Sequence, residues 1–363
     1  MRHDGIVRFV SRILKVFLSL RENNSKIIST HKKIIIICQH FSLGELLACV
    51  PVFRALKEKY PNSELTVITK NDTIDAVVSN PFVNSVAGVS RKDLLNPIKL
   101  AKFLLTLRKN YNLALMPVIE NVSALSCLIT RLSNADRRVG AKSLNGNTNY
   151  FQFCFDSRID LDWRRHHDYH ITERCLEIVR PFGINTNDLK SIVTYGKKET
   201  VYAKEYISKI KLNKNELLIG LNLGANNPEN RWSVYSFVSL LELLERKYKA
   251  KFYLTGNKRD ENLVELLVSK LSFNVNLFIN RSVPEVAAIV SVSDLFITND
   301  TGIMQVAGTT DTPLIAIFGA SNPYSRLPVG SKKFFIRKSD LIDDVQVVDV
   351  FNLACEVINP HQR

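Results

Sequence analysis

The chain has 363 residues, 45% hydrophobic and 23% charged, which suits two domains of ordinary size that each bury a core. Its formal charge is +14 with a pI near 9.5, a field that favours an anionic partner: nucleic acid, an acidic membrane face or a phosphorylated substrate. No apolar run reaches the length of a membrane span, and Cys38, Cys49, Cys127, Cys154, Cys175 and Cys355 are scattered without C-x-x-C or metal spacing, so they read as buried thiols of a reducing cytosol rather than a disulfide framework.

In chain order, residues 5–22 predict an amphipathic helix. Arg8, Ser11, Arg12, Lys15, Ser19 and Glu22 share a narrow face, and Ile6, Phe9, Val10, Ile13, Leu14, Phe17 and Leu18 fill the wide apolar remainder. Residues 1–30 carry six basic and two acidic side chains. Arg8, Arg12 and Lys15 interrupt any signal-peptide apolar region, and no small-residue cleavage site follows. Two uses stay open: lying on an anionic bilayer, or packing on the helix's own domain or a partner.

Residues 33–38 form a buried strand and residues 39–44 its loop. Glu45 then opens one helix through Leu46, Leu47, Val50, Phe53, Leu56 and Lys59, with Pro51 early in it. A strand follows at 65–69, another at 111–115, and a helix with Tyr169, Cys175, Leu176 and Val179 closes at Phe182 and Gly183. Polar residues and lysine dominate 184–215, the expected linker. The second half opens with a strand at 217–221 and a Gly/Asn-rich loop at 222–232 before a helix from Val234 to Lys247. Strands at 252–255 and 276–279 and helices from about Asp260 and from Pro284 come next. Residues 341–358 predict a closing helix that crosses back to the first domain.

The stretch at 294–320 is a β-turn-α-β unit. Residues 295–298 are a strand, and Asn299, Asp300, Thr301 and Gly302 carry turn chemistry. Ile303, Val306 and Ala307 share a helical face, Gly308 stops the helix, and residues 313–318 are a second buried strand. The turn lies at the carboxyl end of its strand, where open α/β sheets bind ligands. Backbone N–H groups of Thr301, Gly302 and Ile303 are free to face an anion. Asp300 repels phosphate and suits sugar hydroxyls or a helix cap. The same residues also read as a capped βα turn with no ligand.

Asp300-Thr301-Gly302, then Gln305 and Ala307, then Pro313 to Gly319, resemble the nucleotide-sugar loop of glycosyltransferase family 9, the ADP-heptose:lipopolysaccharide heptosyltransferase family. That family has D-[ST]-G-x-x-H-x-A followed by P-x-x-x-x-F-G. Further matches are Ser42-Leu43-Gly44-Glu45 with Pro51, Ala55 and Leu56, Tyr60-Pro61, Asn80-Pro81, Tyr111 to Leu115, Arg137-Arg138-Val139-Gly140, and Gly224-Ala225 with Arg231-Trp232. The resemblance covers about residues 33–330. It implies an α/β GT-B fold, two Rossmann-like domains facing across a cleft, preceded here by the amphipathic helix. The domains expected are 1–30 (helix), 31–190 (acceptor-binding), 191–340 (nucleotide-sugar-binding) and 341–363 (C-terminal segment).

By resemblance, the activity is inverting, metal-independent transfer of heptose or a related sugar from a nucleotide-diphosphate sugar such as ADP-heptose. The acceptor is a lipopolysaccharide core or similar lipid-linked or phosphorylated glycan. The setting is cytoplasmic, peripheral on the inner face of the bacterial inner membrane, where residues 5–22 meet an anionic surface. No cofactor, metal or nucleic acid is implied. Glu45 stands at the family's catalytic Asp and is the candidate base, or else a helix N-terminus residue. Arg231 is the candidate phosphate clamp. Gly224, Glu261, Asp300, Thr301, Gly302 and Gln305 complete the donor set, Gln305 standing where the family has His. Arg137 and Arg138 are the acceptor candidates. His166, His167 and His170 lack the companions of a metal site. Two other classes stay open: a GT-B nucleotide-sugar epimerase or hydrolase, and a catalytically degenerate, membrane-associated nucleotide-binding protein.

Overall fold

The computed structural model describes residues 2–23, 32–210, 216–225 and 227–359. The chain divides into two compact units, Met1–Leu189 and Lys190–Arg363.

In the first unit the strands are β1 (Lys33–Ile37), β2 (Glu64–Thr69), β3 (Ser85–Gly88), β4 (Tyr111–Leu115), β5 (Ala135–Leu144), β6 (Asn147–Thr148) and β7 (Ser157–Leu161). The sheet runs β3-β2-β1-β4-β5, parallel throughout, with β7 parallel and β6 antiparallel to β5. Ile34 to Ile37 are fully buried, as a strand covered on both faces requires. The β5–β6 hairpin turns on Asn145 and Gly146, both at positive φ (50° and 77°), the pairing a tight hairpin favours.

The second unit holds β8 (Leu218–Asn222), β9 (Lys251–Gly256), β10 (Asn276–Ile279), β11 (Leu295–Asn299), β12 (Leu314–Ile317) and β13 (Lys333–Ile336). They form one parallel sheet in the order β10-β9-β8-β11-β12-β13. In sequence rank that is 3-2-1-4-5-6, the doubly wound dinucleotide-binding order, whose switch point lies between β8 and β11. In the first unit the corresponding switch point lies between β1 and β4.

Several elements differ from the sequence reading. The helix expected from Glu45 to Lys59 is two helices, Leu43–Ala48 and Val50–Lys59, meeting at Cys49. Pro51 lacks an N–H and is tolerated only in a first turn, so it starts a new helix rather than continuing the old one. The expected linker contains a helix, Lys197–Ile210, that buries Ala203 and Ile210 and sets Tyr206 edge-on to Phe278 at 4.9 Å between ring centroids; residues 211–215 lie outside the described residues. The N-terminal helix spans Arg2–Leu18 and stops short of residue 22. The helix Gly302–Gly308 does end at Gly308, and a Cβ there would sit 2.2 Å from Pro328 Cβ, so close packing also calls for the glycine.

The expected closing helix is Val347–Ile358, and it does not leave its own unit. Val350 and Ala354 are fully buried in the second unit's core beside Leu240, Leu241 and Leu244 of the helix Val234–Tyr248. Trp232 is also core here: its ring is 2% exposed, packs edge-on to Phe237, and donates Nε1–H to Val345 O at 2.8 Å.

Candidate active site

The loop after β1 carries the first candidate. Ser42 caps the helix Leu43–Ala48, and Glu45 completes a capping box. Glu45 Oε2 accepts from the Ser42 amide and the Ser42 hydroxyl, both at 2.8 Å. Its Oε1 has no hydrogen-bond partner among the described residues. The carboxylate overlies buried thiols: its charge, after burial itself and the neighbouring thiols, helps push Cys38 and Cys175 above the ordinary cysteine range. Cys38 Sγ and Cys49 Sγ are 4.0 Å apart, both fully buried, and raised thiols of this kind are unreactive.

His40 was not singled out by its sequence context, because a lone histidine after a strand carries no pattern. Its Nδ1 lies 3.1 Å from Ser126 Oγ, its ring meets Phe41 at 4.4 Å, and Nε2 is shut from solvent without a well-formed hydrogen bond. Burial, helped by the charge of Lys70, lowers its pKa from 6.5 to about 4. The imidazole beside the Glu45 loop is therefore neutral at physiological pH.

Arg137 and Arg138 are not brought to this loop. Through β4 they stand level with Ile34 and Ile35, at the opening half of β1, whereas Glu45 follows its carboxyl end. Arg137 is 9% exposed, donates Nε–H to Ser157 Oγ at 2.8 Å and Nη2–H to Asn23 O at 3.2 Å, and stacks over Phe182. Arg138 pairs with Asp156 at 3.3 Å and donates to Ser133 O at 2.8 Å. Both guanidinium groups are occupied in holding their own unit together. His170 likewise has a local task, since its ring accepts from the Thr172 amide and caps the helix Ile171–Leu176.

In the second unit the donor candidates from three loops converge at the carboxyl ends of β8, β9 and β11. Asn299, the last residue of β11 and fully buried, ties two of them together. Its Nδ2 donates to Leu223 O at 2.8 Å, and its Oδ1 accepts from the Trp232 amide at 3.2 Å. Gly224 lies against Asp260: a Cβ on that glycine would come within 2.4 Å of Asp260 Oδ1. Asp260 in turn closes a capping box with Asn257. Glu261 opens the helix Glu261–Lys270 and accepts from Asn280 Nδ2 at 3.3 Å. Arg231 folds back on its own loop, donating Nε–H and Nη2–H to Ala225 O at 3.0 and 2.9 Å.

The β11 turn is more self-contained than its sequence suggests. Thr301 is the cap of the helix Gly302–Gly308, and its hydroxyl accepts from the amides of Ile303 at 3.0 Å and Met304 at 3.2 Å. The Ile303 amide, expected to face an anion, is therefore already engaged. Asp300 is not the cap; its carboxylate faces Arg326 at 4.0 Å. Gln305 is 4% exposed and donates Nε2–H to Arg326 O at 2.5 Å.

A model of the family described as glycosyltransferase family 9 (heptosyltransferase) matches residues 102–346. The chain belongs to glycosyltransferase family 9. It is 22% identical over 298 residues to lipopolysaccharide heptosyltransferase 3 of Escherichia coli, covering 77% of this chain and 81% of that one. It is 24% identical over 306 residues to lipooligosaccharide heptosyltransferase 2 of Haemophilus influenzae, covering 81% and 86%. Among solved structures, a family 9 glycosyltransferase from Veillonella parvula aligns with a TM-score of 0.79 at 17% identity, over 93% of this chain and 100% of that one. The ADP-heptose lipopolysaccharide heptosyltransferase II of E. coli aligns at 0.74 and 19% identity, over 91% and 100%. These likenesses show the GT-B type of fold.

Against the family pattern, Glu45 and Gln305 are substitutions with visible accommodation. A Ser-x-x-Glu box forms at the first, and at the second a neutral amide holds the Arg326 turn, which a charge would not be needed for.

Two outcomes follow. Arg231→Ala should weaken nucleotide-sugar binding by about 10–100-fold in calorimetry, since hydrogen bonds to charged groups contribute about 1.5–3 kcal/mol. Arg231→Lys should lose less, because the charge remains while the two-pronged hold on Ala225 goes. An unchanged affinity for the alanine variant would remove Arg231 from the site. His40 holds a proton less tightly folded than unfolded, so its contribution is complete above about pH 6.5 and is lost as the pH falls toward about 4. The urea midpoint should drop across that window, by up to about 3 kcal/mol in stability. The drop should flatten in His40→Gln; an equal drop in the variant would assign it to other groups.

Proposed function

We propose that this family 9 glycosyltransferase moves a heptose or related sugar from a nucleotide-diphosphate donor, ADP-heptose foremost, to a lipopolysaccharide core or similar lipid-linked glycan. The reading includes inversion at the transferred carbon, independence of metal, and work at the cytoplasmic face of the inner membrane, with residues 5–22 on the anionic surface. The observation that carries it is the meeting of the family's two donor segments at the β8/β11 switch point, where Asn299 bonds one to the other. The names of the relatives, heptosyltransferases of lipopolysaccharide and lipooligosaccharide, support the sugar and the acceptor class.

In this reading the acceptor oxygen attacks the anomeric carbon as the bond to the diphosphate breaks. Glu45 takes the acceptor's proton through Oε1, the oxygen that the capping box leaves without a partner. Negative charge grows on the leaving diphosphate, and Arg231 meets it with the edge of its guanidinium turned away from Ala225. Gly224 allows a close approach of donor to backbone. Asp300 and Glu261 serve sugar and ribose hydroxyls.

The test is transfer with a panel of nucleotide-diphosphate sugars and a delipidated core acceptor. Glu45→Gln should keep the fold, because Gln also closes a capping box. It should cut transfer by about 10²–10⁴-fold while donor binding persists. Glu45→Asp should retain activity or gain it: Ser90 and Asp93 show that this chain makes the same box with the shorter acid. Transfer by Glu45→Gln at the wild-type rate would end the base assignment. Donor consumption without acceptor would favour an epimerase or hydrolase. Nucleotide binding with no transfer from any donor would favour the degenerate reading, to which the capping role of Glu45 already lends an observation.

A further inference from the structure

The N-terminal helix leaves much of its apolar surface uncovered. It meets the first unit through Val7, Leu14 and Leu18, all half-buried, and Ser11, 5% exposed, while Arg8, Arg12 and Lys15 stand exposed beside that contact, Arg8 over the Tyr150 ring at 5.0 Å. The rest of its apolar side chains face outward, with Phe9 65%, Ile13 48%, Val16 79% and Phe17 78% exposed. A water-facing helix keeps its exposed face polar. The orientation is held by the residues that follow it. Arg131 Nε–H donates to Leu18 O at 2.7 Å, the Leu20 amide to Phe153 O at 3.0 Å, Arg158 Nη2–H to Leu20 O at 3.0 Å, and the Asn23 amide to Asp156 O at 2.7 Å.

Between the helix and the β5–β6 hairpin lies a polar groove of about 610 Å³. Arg8, Arg12, Lys15 and Arg158 line it from two sides, and Asn147 and Thr148 of the hairpin close it. Arg158 is partly balanced by Glu22 at 3.6 Å. Among the described residues no acidic side chain lines the groove. Four cations around one groove, beneath an exposed apolar face, define two levels on one element. A helix is about 10–12 Å across with its side chains. An interfacial helix sinks its apolar face about 5–10 Å into the headgroup and acyl boundary. With Phe9, Ile13, Val16 and Phe17 at that depth, Arg12 and Lys15 stand at the level of the lipid phosphates.

The structure assigns this groove as a binding site for the phosphate of an anionic membrane lipid, with the helix's apolar face set among the acyl chains. It rests on the membrane-bound reading above and names the chemistry that this reading would use. A second copy of the chain is the competing occupant of the apolar face. It would cover Phe9 and Phe17 but bring two sets of cations together without an anion, so the charge favours lipid.

The experiment is flotation of the full chain with vesicles of phosphatidylcholine alone and of phosphatidylcholine with phosphatidylglycerol. The wild type should prefer the anionic vesicles, and the preference should fade with salt. Arg12→Gln with Lys15→Gln should lose roughly 30-fold in binding to anionic vesicles, the scale for two basic residues at an anionic surface, and keep its weak binding to neutral ones. Phe9→Ser with Phe17→Ser should lose both. Transfer to a delipidated acceptor should be unchanged in either variant, which separates failure here from failure of the catalytic reading. Full anionic preference in the groove variant would overturn the phosphate site while leaving membrane binding intact. Wild-type flotation by the Phe9 and Phe17 variant would overturn the membrane reading itself. A dimer in light scattering that this variant dissolves, without vesicle binding by the wild type, would give the face to a second copy. Stabilisation of the wild type, but not of the groove variant, by inorganic phosphate without vesicle binding would assign the site to soluble phosphate.

Discussion

The second unit is organised by one buried amide. Asn299 closes β11 and bonds outward to both ends of the loop that follows β8, through Leu223 O and the Trp232 amide. A buried amide is stable only with its hydrogen bonds made. Satisfying Asn299 therefore fixes the loop that carries Gly224 and Arg231 relative to the turn that carries Asp300 and Thr301. Trp232 continues the chain of constraint: its backbone meets Asn299, and its indole reaches Val345 O, next to the helix Val347–Ile358. The loop after β8, the switch point and the C-terminal helix are thus one mechanical piece. Substitution at Asn299 acts on all three together.

Much of this was legible in the chain. Uninterrupted apolar runs such as residues 34–37 and 295–297 mark strands covered on both faces, and strand–helix alternation marks doubly wound units. The short Asp300-Thr301-Gly302 turn was visible because turn chemistry and helix capping are local. What was not legible depends on neighbours distant in sequence. Nothing around Arg137 and Arg138 announces that Ser157, Asn23, Asp156 and Ser133 will occupy their guanidinium groups. The helix-start role of Glu45 was legible beside its catalytic one, and the Ser-x-x-Glu spacing at Ser42 carries the capping box. Asn145-Gly146 is a strong hairpin signal, and it builds one wall of the cationic groove.

The segments that differ from their sequence pattern share a cause. The lysines of residues 197–209 look like loop chemistry, but a helix tolerates lysine well on its exposed faces, and this one docks through Ala203 and Ile210. Pro51 does stand early in a helix, but in a second one that begins because of it. In each case the backbone hydrogen bonds that the segment must satisfy, rather than its composition, decide the structure.

The stitching of residues 18–23 has a mechanical meaning. Hydrogen bonds join this short stretch to the body of the first unit through Arg131, Arg158, Phe153, Asp156, Arg137 and Ser157. A helix on a loose tether would confine a protein to a surface but let it tumble there. A helix riveted in this way transmits angle as well as position. Whatever plane receives Phe9, Val16 and Phe17 also sets the tilt of the β1 sheet, and with it the height and direction at which the Glu45 loop is presented. In the membrane-bound reading proposed above, acceptor length and anchor geometry become matched quantities, in the way a lathe's tool rest fixes the depth of cut.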